Sequence, residues 1–549
     1  MSLKPRPIGP VPELTAFVAR AAFPDGNPFV SLRDTPGTFY DDERSADLFP
    51  DRGRPAETPW RLALVTALQY AEGLADRQAA DAVRGRIDWK YALGLELTDP
   101  GFDFSVLCEF RARLIAGGGE SRLLEAMLET CKTHGLVKAR TKRRTDSTHV
   151  LAAIRTLNRP ELVGETLRAA LDGLATVAPQ WLRAWAPPGW FDRYASRVEG
   201  SRLPEGEEAR RAHGEVIGAD GFRLLDAVYA AGAPRWPGDV PAVEVLRRVW
   251  LARYYLDDGR VRWRKAGDLP PAGRRIDSRY DPEATFGNKR TMTWTGYKVH
   301  LTETCEDDEV HPITNVETTP AVAADVDQTG PIHTALAARG LLPGDHLLDA
   351  GYVDAELLVG SRSDHDVRLV GPVRPDVSWQ ARKPGGFDIS RFVIDWEARR
   401  VTCPEGRTSV LWQPGRDPWD NEVIHAEFSR HECPACGSRS RCTRARTEGR
   451  EMTLRPRERH EALQAARRDQ ETASWKTAYA ARAGIEGTIS EGVRAFGLRR
   501  CRHVGLPKAS LQHVITATAM NLSRLAAWLA GVPHGKTRVS RFAGLALTG

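Results

Sequence analysis

Long hydrophobic runs are missing from this 549-residue sequence: no apolar stretch approaches the roughly 20 residues that span a bilayer. The N-terminus, MSLKPRPIGPVPEL, lacks the continuous apolar core of a secretory signal. The chain is therefore expected to be cytoplasmic, bacterial in style, with no membrane partner. Cysteine is sparse, and four of the 8 (Cys108, Cys131, Cys305 and Cys501) are scattered, as reduced bystanders in that compartment would be. No phosphate-binding glycine motif and no internal repeat occur, which argues against a nucleotide cofactor. A large excess of charge of one sign is also absent. With a net charge of +6, bulk charge does not establish a nucleic-acid partner.

What is present is ordinary globular composition, 41% hydrophobic and 27% charged, over a length that calls for two to four domains. Charge is clustered. Lys138, Arg140, Lys142, Arg143 and Arg144 precede Asp146, and Arg494, Arg499, Arg500 and Arg502 follow Glu486. A basic run is usually a solvated face; two runs beside isolated acids point to phosphate.

The stretch Ser474 to Arg502, read as a helix, stacks Tyr479, Arg482 and Glu486 on one face at i, i+3 and i+7. Upstream, residues 1–50 are rich in Pro, Gly and Asp and read as an extended arm. Thr58-Pro59 is a strong helix start, and helical patterns follow from Trp60, Asp76, Trp89 and Asp103/Ser105, so 51–135 reads as an all-helical N-terminal domain for DNA binding or dimerisation. A first strand falls within 136–150. Residues 151–285 read as a mainly helical insertion whose tryptophans (Trp181, Trp185, Trp190, Trp236, Trp250, Trp263) pack a core, with base stacking as the alternative for one or two.

Strand signals resume in 286–374: Tyr297, Val299 and Leu301 alternate with Lys298, His300 and Thr302, the turn Glu306-Asp307-Asp308 follows, then Ile313 to Thr318. A helix over Asp327–Gly340 leads to a short strand, His346 to Tyr352, holding Asp349, then a helix and a last strand, Val367 to Val370. The order predicts an α/β fold, a mixed sheet with helices packed on it. Residues 375–460 hold Cys403, Cys433, Cys436 and Cys442, a fair pattern for structural zinc, with His431 as a competing ligand. Residues 461–531 hold Glu486 and an amphipathic C-terminal helix (Leu511, Val514, Ile515, Leu522, Leu525), and 532–549 read as a tail.

Asp146, Asp349 and Glu486 lie on separate elements. Phosphodiester cleavage at two Mg²⁺ ions needs such pooled carboxylates, because hard divalent cations take oxygen ligands. Any one of these aspartates could instead cap a helix, and Asp354 competes with Asp349.

The chain resembles bacterial insertion-sequence transposases of the DDE class, in particular the branch with a Tyr, Arg, Glu, Lys signature spaced Y-x2-R-x3-E-x6-K. Tyr479, Arg482 and Glu486 match it; Val493 stands at the lysine position with Arg494 beside it. TDSTHV, LLDAGYVDAELL, DPEATFGNKRTMTWTGYKVHL and EGVRAFGLRRCRHVGL are similar to the family's other blocks. The resemblance implies an RNase H-like core, Asp146, Asp349 and Glu486 holding two Mg²⁺ (with Mn²⁺ able to substitute), and hydrolysis at element ends followed by transesterification into target DNA. It implies terminal inverted repeats and target DNA as partners, synapsed by a homodimer. Tyr479, Arg482, Arg494, Arg499, Arg500, Arg502, Lys289, Arg290 and Trp294 would contact DNA. The alternatives are a structure-specific nuclease that never joins and an inactive DNA-binding regulator.

Overall fold

The computed structural model describes residues 2–199, 203–306 and 310–532. Its spine is a mixed sheet: β1 (Arg143–Leu151), β2 (Thr285–Lys289), β3 (Met292–Thr304), β4 (Ile313–Pro320), β5 (Asp345–Leu347) and β6 (Arg368–Val370). The strand order is β2-β3-β1-β5-β6, with β4 also paired to β3. β3 runs antiparallel to β1 from Arg143↔Thr304 to Leu151↔Gly296, while β5 and β6 run parallel to β1. β2 escaped the sequence reading because TFGNK has no apolar alternation. It forms because Arg290, at φ 57°, turns the chain so that Lys289 pairs with Met292. Asp307 and Asp308 of the expected turn, and 533–549 of the expected tail, lie outside the described residues.

The alternation in β3 predicts one wet face, yet His300 and Thr302 are buried as fully as Val299 and Leu301. Helices cover both sides of the sheet, so the polar side chains bond to one another instead of to water.

The N-terminal 50 residues are not an extended arm. They form the helices Glu13–Ala22 and Pro28–Asp34 and a 3-10 turn, Glu43–Leu48, and bury Leu32, Phe39, Tyr40 and Phe49 in the main core. Pro12 and Pro28 sit at helix N-termini, where a missing N–H costs nothing. The expected helix at Thr58-Pro59 is Pro59–Ala71, and Asp76–Gly85, Ile87–Ala92, Ser105–Ala116 and Arg122–Thr133 follow.

The C-terminal helix, Leu506–Leu529, is not amphipathic in place but buried on nearly all sides. It joins the N-terminal helices to the sheet: the Asn521 amide pairs with the N–H and C=O of Ile313 at 2.7 and 2.9 Å, capping the edge of β4. Thr516 and Thr518 donate back to the Gln512 and Val514 carbonyls, so these two buried hydroxyls are not stranded.

The insertion after β1 folds around its own core, including Val163, Leu167, Trp190, Leu224 and Trp250, as tryptophan density predicts, although Trp236 is exposed. Gly214, Gly218 and Gly221 form one stripe on the helix Glu207–Tyr229. A Cβ there would lie 1.9 Å from Trp263, 2.5 Å from Tyr254 and 2.2 Å from Trp250, so glycine is what lets three rings reach the backbone. A smaller β lobe within 387–454 packs Phe392, Val401, Ala426, Phe428, Met452 and Leu454.

Candidate active site

Asp146 sits mid-strand in β1, opposite Leu301, where the central position of the strand removes it from water; its side chain is 14% exposed. Its Oδ1 accepts the Ser147 N–H at 2.7 Å. Asp349 follows β5 by two residues, and its Oδ1 accepts the Gly351 N–H at 2.7 Å in a tight turn. Asp354 is occupied elsewhere: its Oδ1 accepts from Leu357 N–H at 2.8 Å and caps the helix Ala355–His365.

The stretch from 474 to 502 is not one helix. It is Ala473–Ala480, a 3-10 turn at Ala481–Ala483, and Gly484–Ala495, ended by Gly497 at φ 63°. The tightened turn aims Arg482 at the sheet. Its Nη2 is 2.8 Å from Asp146 Oδ2 and 3.9 Å from Asp349 Oδ2, and its Nη1 is 3.4 Å from Glu486 Oε1. Acids from a strand, a loop and a helix thus gather on one guanidinium. Glu486 is the outermost, with 68% of its side chain exposed.

Burial pushes the Asp146 carboxyl up, and Asp349 adds to this against the opposing pull of Arg482 and the Ser147 N–H. Burial works against the charge on Arg482, but Asp146, Tyr479, Asp349 and Glu486 together hold its pKa above the ordinary value. Arg482 Nε is buried with no hydrogen-bond partner.

A fourth carboxylate, missed in the sequence, borders the same cleft. Asp325 Oδ1 is 3.0 Å from Lys298 Nζ and 3.4 Å from Ser147 Oγ, and its Oδ2 would lie 3.5 Å from a Cβ on Gly351. Behind it the Tyr352 hydroxyl is 2.6 Å from His300 Nδ1, whose Nε2 meets Thr319 Oγ1 at 3.2 Å. The available signal was Lys298, a lone cation in the strand GYKVH, which predicts a nearby acid.

A buried ion network fixes the turn that carries Arg482. Glu303, 0% exposed, accepts from Arg144 Nε at 2.6 Å, Arg524 Nη1 at 2.8 Å and Thr488 Oγ1 at 2.7 Å. Arg144 Nη1 also donates to the Ala481 carbonyl at 2.8 Å, and Arg524 pairs with Glu491 at 2.7 Å. The turn and the helix after it are thereby pinned to β1 and β3.

The basic run before Asp146 is not one continuous exposed strip: Arg143 and Arg144 are buried, while Lys138 and Arg140 are exposed and Lys142 is partly so. Arg143 donates to the Lys138 and Lys142 carbonyls, Arg144 to Glu303, and Arg140 to Asp366. Of the other DNA-contact candidates, Lys289 lies close enough to Asp146 to oppose its protonation. Arg290, Arg494 and Arg500 are exposed. Arg499 Nε donates to Thr148 Oγ1 at 2.8 Å, two residues from Asp146, and Arg502 packs 4.4 Å over the Tyr70 ring. Tyr479 stacks on Trp475 with centroids 4.7 Å apart. Val493 turns into the core, so Arg494 is the outward cation at that point. Trp294 is 5% exposed, and its indole N–H donates to the Tyr297 carbonyl at 3.1 Å, so its ring packs the sheet and presents no face to a base.

Cys403, Cys433, Cys436 and Cys442 line one small cavity in the β lobe. Among the described residues, however, no group of three or more His, Cys, Asp or Glu side chains is arranged to hold a metal ion. Neither the four cysteines nor Asp146, Asp349 and Glu486 are thus arranged as a metal site as they stand, zinc has no support in the geometry, and His431 does not join the cysteines around that cavity. No described helix is long and apolar enough to cross a membrane.

Two family models match the chain: Transposase domain (DUF772) over residues 18–113, and Transposase DDE domain over residues 402–526. The first takes in helices of the supposed arm together with the helical domain; the second includes Arg482 and Glu486 but begins after Asp146 and Asp349. No curated protein and no solved structure matches the chain.

Proposed function

We propose that this chain, which its two domain matches indicate to be an insertion-sequence DDE transposase, cuts DNA at the ends of its element and joins the 3′-hydroxyls to target DNA. Asp146, Asp349 and Glu486 are the catalytic acids of that reading. The observation that carries it is their meeting, from three elements, on Arg482. The strand order β4-β3-β1-β5-β6, with only β3 reversed between its neighbours β4 and β1, supports an RNase H-like core.

The family implies a divalent metal, usually Mg²⁺. The donor set fits in kind: the groups are all carboxylate oxygens, which hard divalent cations prefer, and Asp146 is largely buried. Asp146, Asp349 and Glu486 would hold the ions, which supply positive charge at the phosphate and make water or a 3′-hydroxyl a better nucleophile. Arg482 must give up Asp146 for the acids to close on a cation. Once free, its planar fork suits a phosphate of the flanking strand. Lys298 holds Asp325 within reach of Ser147, keeping that fourth charge off Asp146. Tyr479, braced by Trp475, lies on the face from which Arg482 would reach the DNA.

The test is an assay with pre-cleaved element ends, target plasmid and Mg²⁺. Joined products are expected. Cleavage of intact ends without joining would favour a nuclease, and absence of both would refute the proposal.

A further inference from the structure

The helical insertion contributes nothing to the acid cluster, yet it carries a cavity of about 320 Å³ between the first turns of Arg159–Val177 and Glu207–Tyr229 and the strand Arg260–Trp263. Arg159, Arg210, Arg211, Arg264 and Lys265 line it, against one acid, Glu207, among the described residues. The floor is rigid. Trp263 is packed onto Gly214, and the Arg159 guanidinium lies 5.2 Å over its ring and donates to the Arg264 carbonyl at 2.7 Å.

These cations are weakly neutralised. Arg211 Nε lies 3.4 Å from Glu215, itself shared with Arg262, and among the described residues the Arg210 side chain donates to the Pro204 carbonyl at 2.9 Å. The Nε atoms of Arg159 and Arg264 are buried with no hydrogen-bond partner among the described residues. No described side chain caps the helix Glu207–Tyr229, whose first amides add partial positive charge.

We infer that this cavity seats the phosphodiester backbone of duplex DNA away from the catalytic acids. The inference rests on the transposase reading for its choice of polyanion. Cations drawn from two helices and a hairpin suit a run of phosphates better than one small ion. Trp263, covered by Arg159 and Tyr254, offers no face to a base, so the contact is independent of sequence.

The experiment compares two triple variants of the full chain by fluorescence anisotropy, on an element-end duplex and an unrelated duplex. One is Arg210→Ala/Arg211→Ala/Lys265→Ala. The other, Arg183→Ala/Arg223→Ala/Arg248→Ala, removes three exposed arginines of the same insertion outside the cavity. The cavity triple is expected to bind both duplexes about tenfold more weakly and to flatten the salt dependence by about 2 to 3 in log–log slope. The control triple should stay within about twofold of wild type. Indistinguishable triples, or an effect seen with inorganic phosphate but not with DNA, overturn the inference. If the cavity triple unfolds, amine-directed crosslinking of wild-type protein to the duplex reads the same contact: adducts at Lys265 support it and their absence refutes it. Wild-type protein that cleaves element ends while the cavity triple binds normally sinks this inference alone; wild-type protein that binds no DNA sinks the transposase reading with it.

Discussion

Arg482 donates to Asp146 at 2.8 Å across 336 residues of sequence. That contact ties the turn before the helix of Glu486 to the central strand, and it places a guanidinium where Asp146 and Asp349 would otherwise repel each other.

Removing that guanidinium should move the acid limb of the reaction. Asp146 already sits high because it is buried, and Arg482 is the strongest of the influences holding it down. In Arg482→Gln the Asp146 carboxyl rises further. Since it must be ionised to hold a cation, the acid limb of the cleavage pH–rate profile should shift to higher pH. An unmoved limb would show that Asp146 does not titrate in the reaction.

Glu303 balances two buried arginines. Glu303→Ala leaves buried Arg144 without its carboxylate partner and Arg524 with Glu491 alone, and should cost about 3 kcal/mol, read as a large fall in thermal midpoint. A change within about 0.5 kcal/mol would mean the network is solvated.

Two glycines in one helix should behave oppositely. A Cβ on Gly484 would lie 1.9 Å from Arg144 Nη1, and that guanidinium cannot swing aside without breaking its contacts to Glu303 and Ala481. Gly484→Ala should therefore lose about 1 to 3 kcal/mol and displace Glu486, lowering cleavage. Gly487 has no atom within 4 Å of its Cβ position, so Gly487→Ala should gain up to about 1 kcal/mol. Denaturation of the two variants decides; equal effects would contradict the packing.

Acid should destabilise the fold before ordinary carboxylates titrate. Burial lowers His300 and His333 to about 4, His513 to about 3, and His346 well below its ordinary value. Below about pH 6.5 the unfolded chain binds protons that the folded chain refuses, so stability falls as pH drops towards 4, by up to about 1.4 kcal/mol per pH unit per histidine. The thermal midpoint measured from pH 7 to pH 4.5 should drop throughout. A flat profile would mean that these rings take up protons in the folded state.

The legible parts of the sequence were those governed by local rules. Thr58-Pro59 announced a helix because start chemistry is local, and Tyr297 to Leu301 announced a strand because alternation is local. The prolines of the first 50 residues read as breakers, although Pro12 and Pro28 mark helix starts, a distinction that needs the packing partner. The three acids could be picked out as residue types, but the spacing of Tyr479, Arg482 and Glu486 could not reveal the 3-10 turn between them. That turn depends on Arg144 and Glu303, which are distant in sequence. Asp325 escaped because nothing local distinguishes it from a turn aspartate. Its role follows from Lys298 and Ser147 on neighbouring strands.

The central claim is most directly tested by single-turnover cleavage of an element-end duplex in Mg²⁺ with Asp146→Asn, Asp349→Asn and Glu486→Gln. Each should lose at least about 100-fold in rate while binding the duplex within about twofold of wild type. Wild-type cleavage by any one of the three would contradict the account.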